Sequence, residues 1–453
     1  MGRLFGTDGV RGVANRELTP ELAFQLGRAA GALLLRRRDG SPGRPKVLVG
    51  RDTRASGPML EAALVSGFNS AGVDCFSAGV VPTPGVAYLV RSRGFEAGAV
   101  ISASHNPVVD NGIKFFASSG YKFSDEEENE IERLVDELRQ GRDALPRPTG
   151  GEVGTSSPAL SLAGEYAAYL KGRFGLDLSG MRIVLDCANG AASALAPELF
   201  RSLGAEVIAL HTEPDGVNIN VECGSTHPRV LQEAVVREKA DAGFTFDGDA
   251  DRVLAVDGEG GLLDGDHILV ALAVEKARRG ALPQGRIAVT AYSNMGLRVA
   301  LASEGIGVVE TPAGDRFVLE AMRREGLSLG GEQSGHVILL EHQTTGDGML
   351  TALALLDAAR RSGAPLSALR ALMRPFPQVL ENVRVQRKEA WKENARVLEA
   401  IARGEEALGE RGRLFVRASG TEPLVRIMGE GENEEQVRRV VAAVAEVIRA
   451  ELG

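Results

Sequence analysis

The stretch Ile101–Phe116, "ISASHNPVVDNGIKFF", follows the run "AGAVIS" (Ala97–Ser102), which reads as a buried strand. It sets Ser, His, Asn, Pro, Asp, Asn and Gly between two apolar segments. Pro107 forbids continuation as a helix and biases Asn106 toward an extended conformation. The chain therefore breaks just past the end of a strand, with Ser104 in the break. One reading is a polar turn whose Ser and Asn bond only backbone. The other is a serine presented for chemistry, because in α/β sheets sites collect beyond the carboxyl ends of the strands.

The surrounding chain decides the fold. Short β-branched runs alternate with amphipathic stretches: "KVLVG" (46–50) with 57–72, "RIVLDC" (182–187) with 191–204, and "RIAVT" (286–290) with 295–305. Such alternation predicts βαβ units with right-handed crossovers, and it occurs three times. A Gly/Pro/Ser/Thr-rich linker spans 139–157, a Gly-rich hairpin follows "FDGDADRVLAVDGEGG", and a third boundary lies at "RPFPQVLENV" (374–383). After it come a strand, a helix, two strands around "RASGTEP" and a closing helix. The expectation is three similar α/β domains with mixed sheets (1–150, 151–254, 255–372) and a smaller C-terminal α+β domain (373–453).

The bulk properties narrow the function. The 453 residues are 44% hydrophobic and 25% charged, with a net charge of -9, which argues against nucleic acid or anionic lipid as partner. Nothing approaches about 18 consecutive apolar residues, and the start "MGRLFGTDGVRG" lacks the apolar core of a signal peptide. Cys75, Cys187 and Cys223 form an odd set with no close pair, which suits a reducing cytosol. The expectation is a cytoplasmic protein with no membrane or nucleic-acid partner.

Three further loops carry candidate chemistry. In "FDGDADR", Asp247, Asp249 and Asp251 alternate; in an extended segment they would share a face, and three crowded carboxylates call for a hard cation such as Mg²⁺. An EF-hand is excluded, since its sixth and twelfth positions would be Arg252 and Gly258. The nearby "LDGDH" reads as a cap for the helix that follows, through Asp264 or Asp266. In "GGEQSGH", Glu332 and Ser334 could face one way toward vicinal sugar hydroxyls, with His336 available for proton work. Just upstream "GLSLG" matches a hydrolase elbow, but it runs from helix to strand, the reverse of what an elbow needs. In "RASGTEPLVR", Ser419, Gly420 and Thr421 between Arg417 and Arg426 make a phosphate cradle, and no Walker A motif is present.

Taken in order, "SASHNP", "DGDADR", "GEQSGH" and "SGTEP" resemble the α-D-phosphohexomutases over essentially the whole chain. "FGTDGVRG" and "TPAGDR" (311–316) resemble the bacterial branch that acts on glucosamine phosphates. The resemblance implies a four-domain, heart-shaped molecule whose loops meet in a central cleft. It implies a phosphoserine at Ser104 and Mg²⁺ held by Asp247, Asp249, Asp251 and that phosphate. It assigns Arg11, Lys114, His336 and Arg252 to proton transfer and charge stabilisation, and Glu332 and Ser334 to the sugar. It assigns Arg417, Ser419, Gly420, Thr421 and Arg426 to the distal phosphate. Ala418 departs from relatives that often carry Pro. The reaction implied is glucosamine 6-phosphate to glucosamine 1-phosphate through a 1,6-bisphosphate, by a monomer or homodimer. The alternatives are a phosphomannomutase/phosphoglucomutase, or a non-catalytic phosphosugar-binding protein, against which the complete set of reactive residues speaks.

Overall fold

The computed structural model describes residues 4–6, 8–37, 43–419 and 423–453. Two compact units result: Met1–Tyr292 with Ile306–Leu372, and Ser293–Gly305 with Met373–Gly453.

The first unit holds three mixed sheets, and one strand order recurs in all of them. In the first, Asp110–Ala117, Ala97–Ile101, Lys46–Arg51 and Asp74–Val80 lie side by side. Val253–Asp257, Ala242–Phe246, Arg182–Asp186 and Glu206–Leu210 repeat this in the second. The third has Val337–Leu339, Leu329–Gly331, Arg286–Thr290 and Gly307–Thr311. Each time three parallel strands are followed by an antiparallel hairpin partner. The reactive loop is the hairpin connection: it leaves Ile101, Phe246 or Gly331 and returns at Asp110, Val253 or Val337. This repetition is why three unrelated-looking motifs occupy equivalent ends of their sheets.

The strand Ala97–Ile101 is buried along its whole length, as an apolar run covered on both faces must be. Three segments extend its sheet, the outermost, Phe5–Gly6, pairing antiparallel with Gly9–Val13. Gly9–Val13 pairs antiparallel with Asp110–Ala117, setting Arg11 opposite Gly112 and next to the serine loop. Ser156–Pro158, inside the expected linker, adds parallel to Asp74–Val80 at the far edge. Asp264 caps the helix Gly265–Arg278, accepting from His267 N at 3.1 Å, as its position predicts. Gly326 ends the helix Asp315–Glu325 before a strand, so "GLSLG" is no elbow.

In the second unit Leu424–Gly431 runs antiparallel between Gln378–Arg384 and Gly412–Ala418. Val397 and Ala400 of one helix and Val441, Val444 and Ile448 of the last close its core against Val383, Leu414 and Ile427. The helix Met295–Ser303, which alternation assigns to the third repeat, groups here instead. Its cap residue Asn294 exchanges hydrogen bonds with the backbone of Phe376 (3.0 and 2.8 Å), and Met295 N donates to Glu430. These bonds tie the start of the helix to "RPFP" itself and to the strand Leu424–Gly431. No helix among the described residues is long and apolar enough to cross a membrane.

Candidate active site

Ser104 sits in the left-handed region (φ 54°), buried to 1% exposure. A non-glycine residue there costs of order 1–3 kcal/mol and needs support from its surroundings. Arg54 supplies most of it. Its buried guanidinium donates to the carbonyls of Ser104 (3.0 Å), Asn106 (2.8 Å), Pro107 (2.6 Å) and Asp110 (3.1 Å). Its Nε donates to Asp52, which also accepts from Ser102; Ser102 Oγ in turn accepts from Ser104 N. From the second repeat, Asn220 Nδ2 donates to the Ser104 carbonyl at 2.9 Å. The serine Oγ is thereby aimed at Asp247, donating to Oδ2 at 2.5 Å.

Asp247, Asp249 and Asp251 each place a carboxylate oxygen within 4.8 Å of the others, all buried. The expected extended segment is not what gathers them. Residues 247–252 form a turn with Ala250 at φ 56°, so the side chains converge because the backbone reverses. Gly248 permits it: a Cβ there would lie 2.5 Å from the Ser104 carbonyl oxygen. Burial and the charges of Asp251 and Asp249 push Asp247 well above the usual carboxylate range. Burial also opposes charge on Asp251, but His336, Lys114 and Arg252 outweigh it and hold Asp251 low. Asp249 Oδ1 and Asp251 Oδ1 are buried without a hydrogen-bond partner. Orphaned oxygens in an all-carboxylate set fit a divalent cation, which would compensate the crowded charge.

Around the triad the charges alternate. Lys114 Nζ, 1% exposed, meets Asp8 (2.8 Å) and Asp249 (3.0 Å). Burial works against its charge, yet Asp249, Asp8 and Asp251 outweigh burial and raise its pKa. Asp8 also pairs with Arg11 and Lys122, and Lys122 reaches Asp315 at 2.6 Å. His336 lies between Asp251 (3.6 Å) and Asp315 (3.7 Å). Burial opposes its protonation, and Asp251 and Asp315 reverse the balance, raising it. The Gly346 N–H donates to His336 Nε2 at 3.1 Å, which selects the Nδ1–H tautomer facing Asp251. A second proton would have to displace that amide. Asp251 and Asp315 favour the charged ring, and freeing Nε2 from that amide lets it hold the second proton. Arg252 Nη1 donates to His105 Nδ1 (3.1 Å), and burial with Arg252 and Arg11 pushes His105 down to about 4.

"GGEQSGH" is a tight hairpin turn rather than an extended run, closed by the Gly335 N–H to the Glu332 carbonyl at 3.0 Å. Glu332 is half-buried, Ser334 exposed and His336 buried. Gln333 Nε2 donates to Asp264, so the capping aspartate also anchors this loop. In the second unit, register sets Arg417 directly opposite Arg426, and Ser419 N donates to the Leu424 carbonyl at 2.8 Å. Gly420 and Thr421 lie outside the described residues.

Four family models cover the chain in domain order. They are the phosphoglucomutase/phosphomannomutase alpha/beta/alpha domains I, II and III, over residues 2–142, 165–261 and 264–376, and the C-terminal domain over 380–447. The chain belongs to the phosphoglucomutase/phosphomannomutase family. Among its members, a phosphoglucosamine mutase of Pelotomaculum thermopropionicum is 54% identical over 449 residues, 99% of each chain. One of Symbiobacterium thermophilum is 54% identical over 453 residues, all of both chains. A crystal structure of a family protein from Burkholderia thailandensis superposes with TM-score 0.80 at 26% identity, covering 99% of this chain and 97% of that one.

The structure brings Ser104, Arg11, Lys114, Arg252, His336 and the three aspartates into one charged cluster. Sequence reasoning missed Asp8, Asp52, Arg54, His105, Lys122, Asn220 and Asp315 as parts of it. Asp8, His105 and Asp315 sit inside motifs that reasoning had quoted. "RDTR" carried a usable signal, a charged run directly after a buried strand. Asn220 carried none, since its role depends on another domain.

Proposed function

We propose that this chain interconverts glucosamine 6-phosphate and glucosamine 1-phosphate, with Ser104 carrying the phosphoryl group. The observation behind this reading is the aim of Ser104 Oγ at Asp247, in a buried cluster shared with Asp249, Asp251 and Lys114. Relatives named phosphoglucosamine mutase, at 54% identity over nearly the full length, support the substrate.

Starting from the phosphorylated serine, a sugar hydroxyl oxygen attacks phosphorus. The bond from phosphorus to Ser104 Oγ breaks, its electron pair stays on Oγ, and the hydroxyl proton leaves. The product is the 1,6-bisphosphate. It returns its other phosphoryl group to Ser104 in the reverse sense, releasing the isomer. A divalent ion at Asp247, Asp249 and Asp251, Mg²⁺ by the hardness of the donors, would neutralise charge on the transferring group. Lys114, held as a cation by its carboxylates, together with Arg11 and Arg252, stabilises the same charge. His105, held low, adds no competing positive charge and accepts from Arg252, orienting that guanidinium. His336 takes up the hydroxyl proton, its carboxylate neighbours stabilising the imidazolium.

Glu332 and Ser334 bond the sugar hydroxyls. Arg417 and Arg426 grip the distal phosphate with Ser419, Gly420 and Thr421, the guanidiniums offering forked donors to its oxygens. The free, buried cysteines suit the cytoplasm.

The test is kcat/KM for glucosamine, glucose and mannose phosphates, primed with trace bisphosphate, alongside intact mass. A phosphorylated fraction absent from Ser104→Ala and a preference for glucosamine are expected. Full turnover by Ser104→Ala would end the reading of Ser104; a preference for mannose would move the substrate.

A further inference from the structure

A second group of ligating side chains lies in the second repeat, apart from the serine and the aspartate triad. Asp186 ends the strand Arg182–Asp186, His211 follows the strand Glu206–Leu210, and Cys223 sits on the loop that returns toward Phe246. One ligand atom from each lies within 4.8 Å of the other two. Asp186 and Cys223 are fully buried, and the His211 side chain, 31% exposed, opens the group to solvent on one side.

Three observations separate this group from an ordinary hydrogen-bonded turn. Asp186 is a fully buried carboxylate whose ion-pair partner among the described residues is His211, at 2.9 Å from Nδ1. No Lys or Arg among the described residues forms an ion pair with it. Next, both its oxygens are oriented by backbone donors, Ala188 N on Oδ1 (3.0 Å) and Gly224 N on Oδ2 (2.9 Å), the outer support typical of a ligating carboxylate. Finally, the fully buried Cys223 offers its sulfur within 4.8 Å of a ligand atom on each of the other two residues. His211 is itself held in the left-handed region (φ 50°), which turns its ring toward Asp186.

We propose that Asp186, His211 and Cys223 form a binding site for a borderline-soft dication such as Zn²⁺, distinct from the hard-ion triad. Sulfur, imidazole and carboxylate donors suit Zn²⁺ and Co²⁺ and discriminate against Mg²⁺. Three protein ligands with one solvent-facing side leave the fourth tetrahedral position to water. Binding releases the thiol proton and the proton shared by His211 and Asp186 to solvent, and the ion replaces both. The site goes beyond the proposed reaction but touches it structurally. Cys223 shares its loop with Asn220, whose side chain braces the Ser104 and Asn106 carbonyls. Occupancy ties that brace to the sheet.

The test uses the full chain, stripped with chelator and returned to excess Mg²⁺ to occupy the triad, then titrated with Co²⁺. A thiolate-to-cobalt charge-transfer band should saturate at one ion per chain and disappear on adding Zn²⁺. Cys223→Ser should abolish the band, and His211→Gln should weaken Co²⁺ at least tenfold. Zn²⁺ should raise the melting temperature of the wild type and not of His211→Gln. Should Cys223→Ser fail to fold, the His211→Gln titration decides alone. The proposal is overturned if the wild type shows no sulfur band, if the band survives in folded Cys223→Ser, or if His211→Gln binds Co²⁺ as tightly as the wild type.

Discussion

Replacing Arg54 by methionine should unlock the Ser104 loop while leaving every proposed substrate contact in place. Methionine fills most of the same space but supplies none of the donors that reach four carbonyls and Asp52. Asp52, 1% exposed, would keep only the Ser102 hydroxyl and a backbone N–H. Removing one member of a buried ion pair costs about 3–5 kcal/mol. The Ser104 carbonyl, still bonded by Asn220, loses less than those of Pro107 and Asp110, which solvent can partly reach; together they add roughly 1–2 kcal/mol. A total near ~5 kcal/mol should show in urea melts of the first unit. The strained Ser104 backbone should then relax, and misplacing a nucleophile by about 1 Å lowers turnover on the order of 100-fold. KM should stay within a few-fold, because the Arg54 guanidinium bonds to Asp52 and the Ser104 loop rather than to a proposed substrate contact. The double variant Asp52→Asn/Arg54→Met should be more stable than Arg54→Met alone, since no orphaned carboxylate remains. Wild-type melting together with wild-type kcat in Arg54→Met would refute the brace. So would a loss confined to KM.

Three other outcomes follow from the same contacts. Asn in place of Asp247, Asp249 or Asp251 should lower kcat by roughly 100-fold or more, with stability held or raised for Asp247→Asn because its crowded charge disappears; steady-state rates with and without EDTA check this. Gly248→Ala should cut kcat without changing overall melting by more than about 3 kcal/mol, since its Cβ would strike the Ser104 carbonyl; wild-type kcat there would show that the loops can part freely. Burial raises the Asp347 carboxyl to about 6, against an ordinary value near 3.9. Its contribution to stability is therefore complete below about pH 4 and lost as pH rises through 6, a change of about 3 kcal/mol. Asp347→Asn should remove that component from the pH dependence of unfolding, and an unchanged dependence would place the group elsewhere.

The hairpin loops were legible because they break local rules. Pro107 after a buried strand, three alternating aspartates and glycines around Glu332 each interrupt an otherwise regular α/β pattern. The geometry inside them was not legible. Alternation suggested extended segments for "DGDADR" and "GEQSGH", whereas both are turns, because a chain reversing into an antiparallel partner must bend there. The helix Met295–Ser303 falls within the third matched domain, as its place in the repeat implies, but its hydrogen bonds to Phe376 and Glu430 were not legible in the sequence.

Local chemistry in the chain therefore determined which strands, caps and candidate side chains exist: Ser104, the three aspartates and the capping Asp264 stand out in short-range pattern alone. The tertiary structure decided how they act on one another. Whether Asp247 is crowded, Lys114 clamped as a cation, His336 held between two carboxylates or Ser104 braced by Arg54 and Asn220 depends on residues as distant in sequence as Lys114 and Asp249. Burial removes the water that would otherwise screen those charges, so their energies are set by neighbours that no short window of sequence contains.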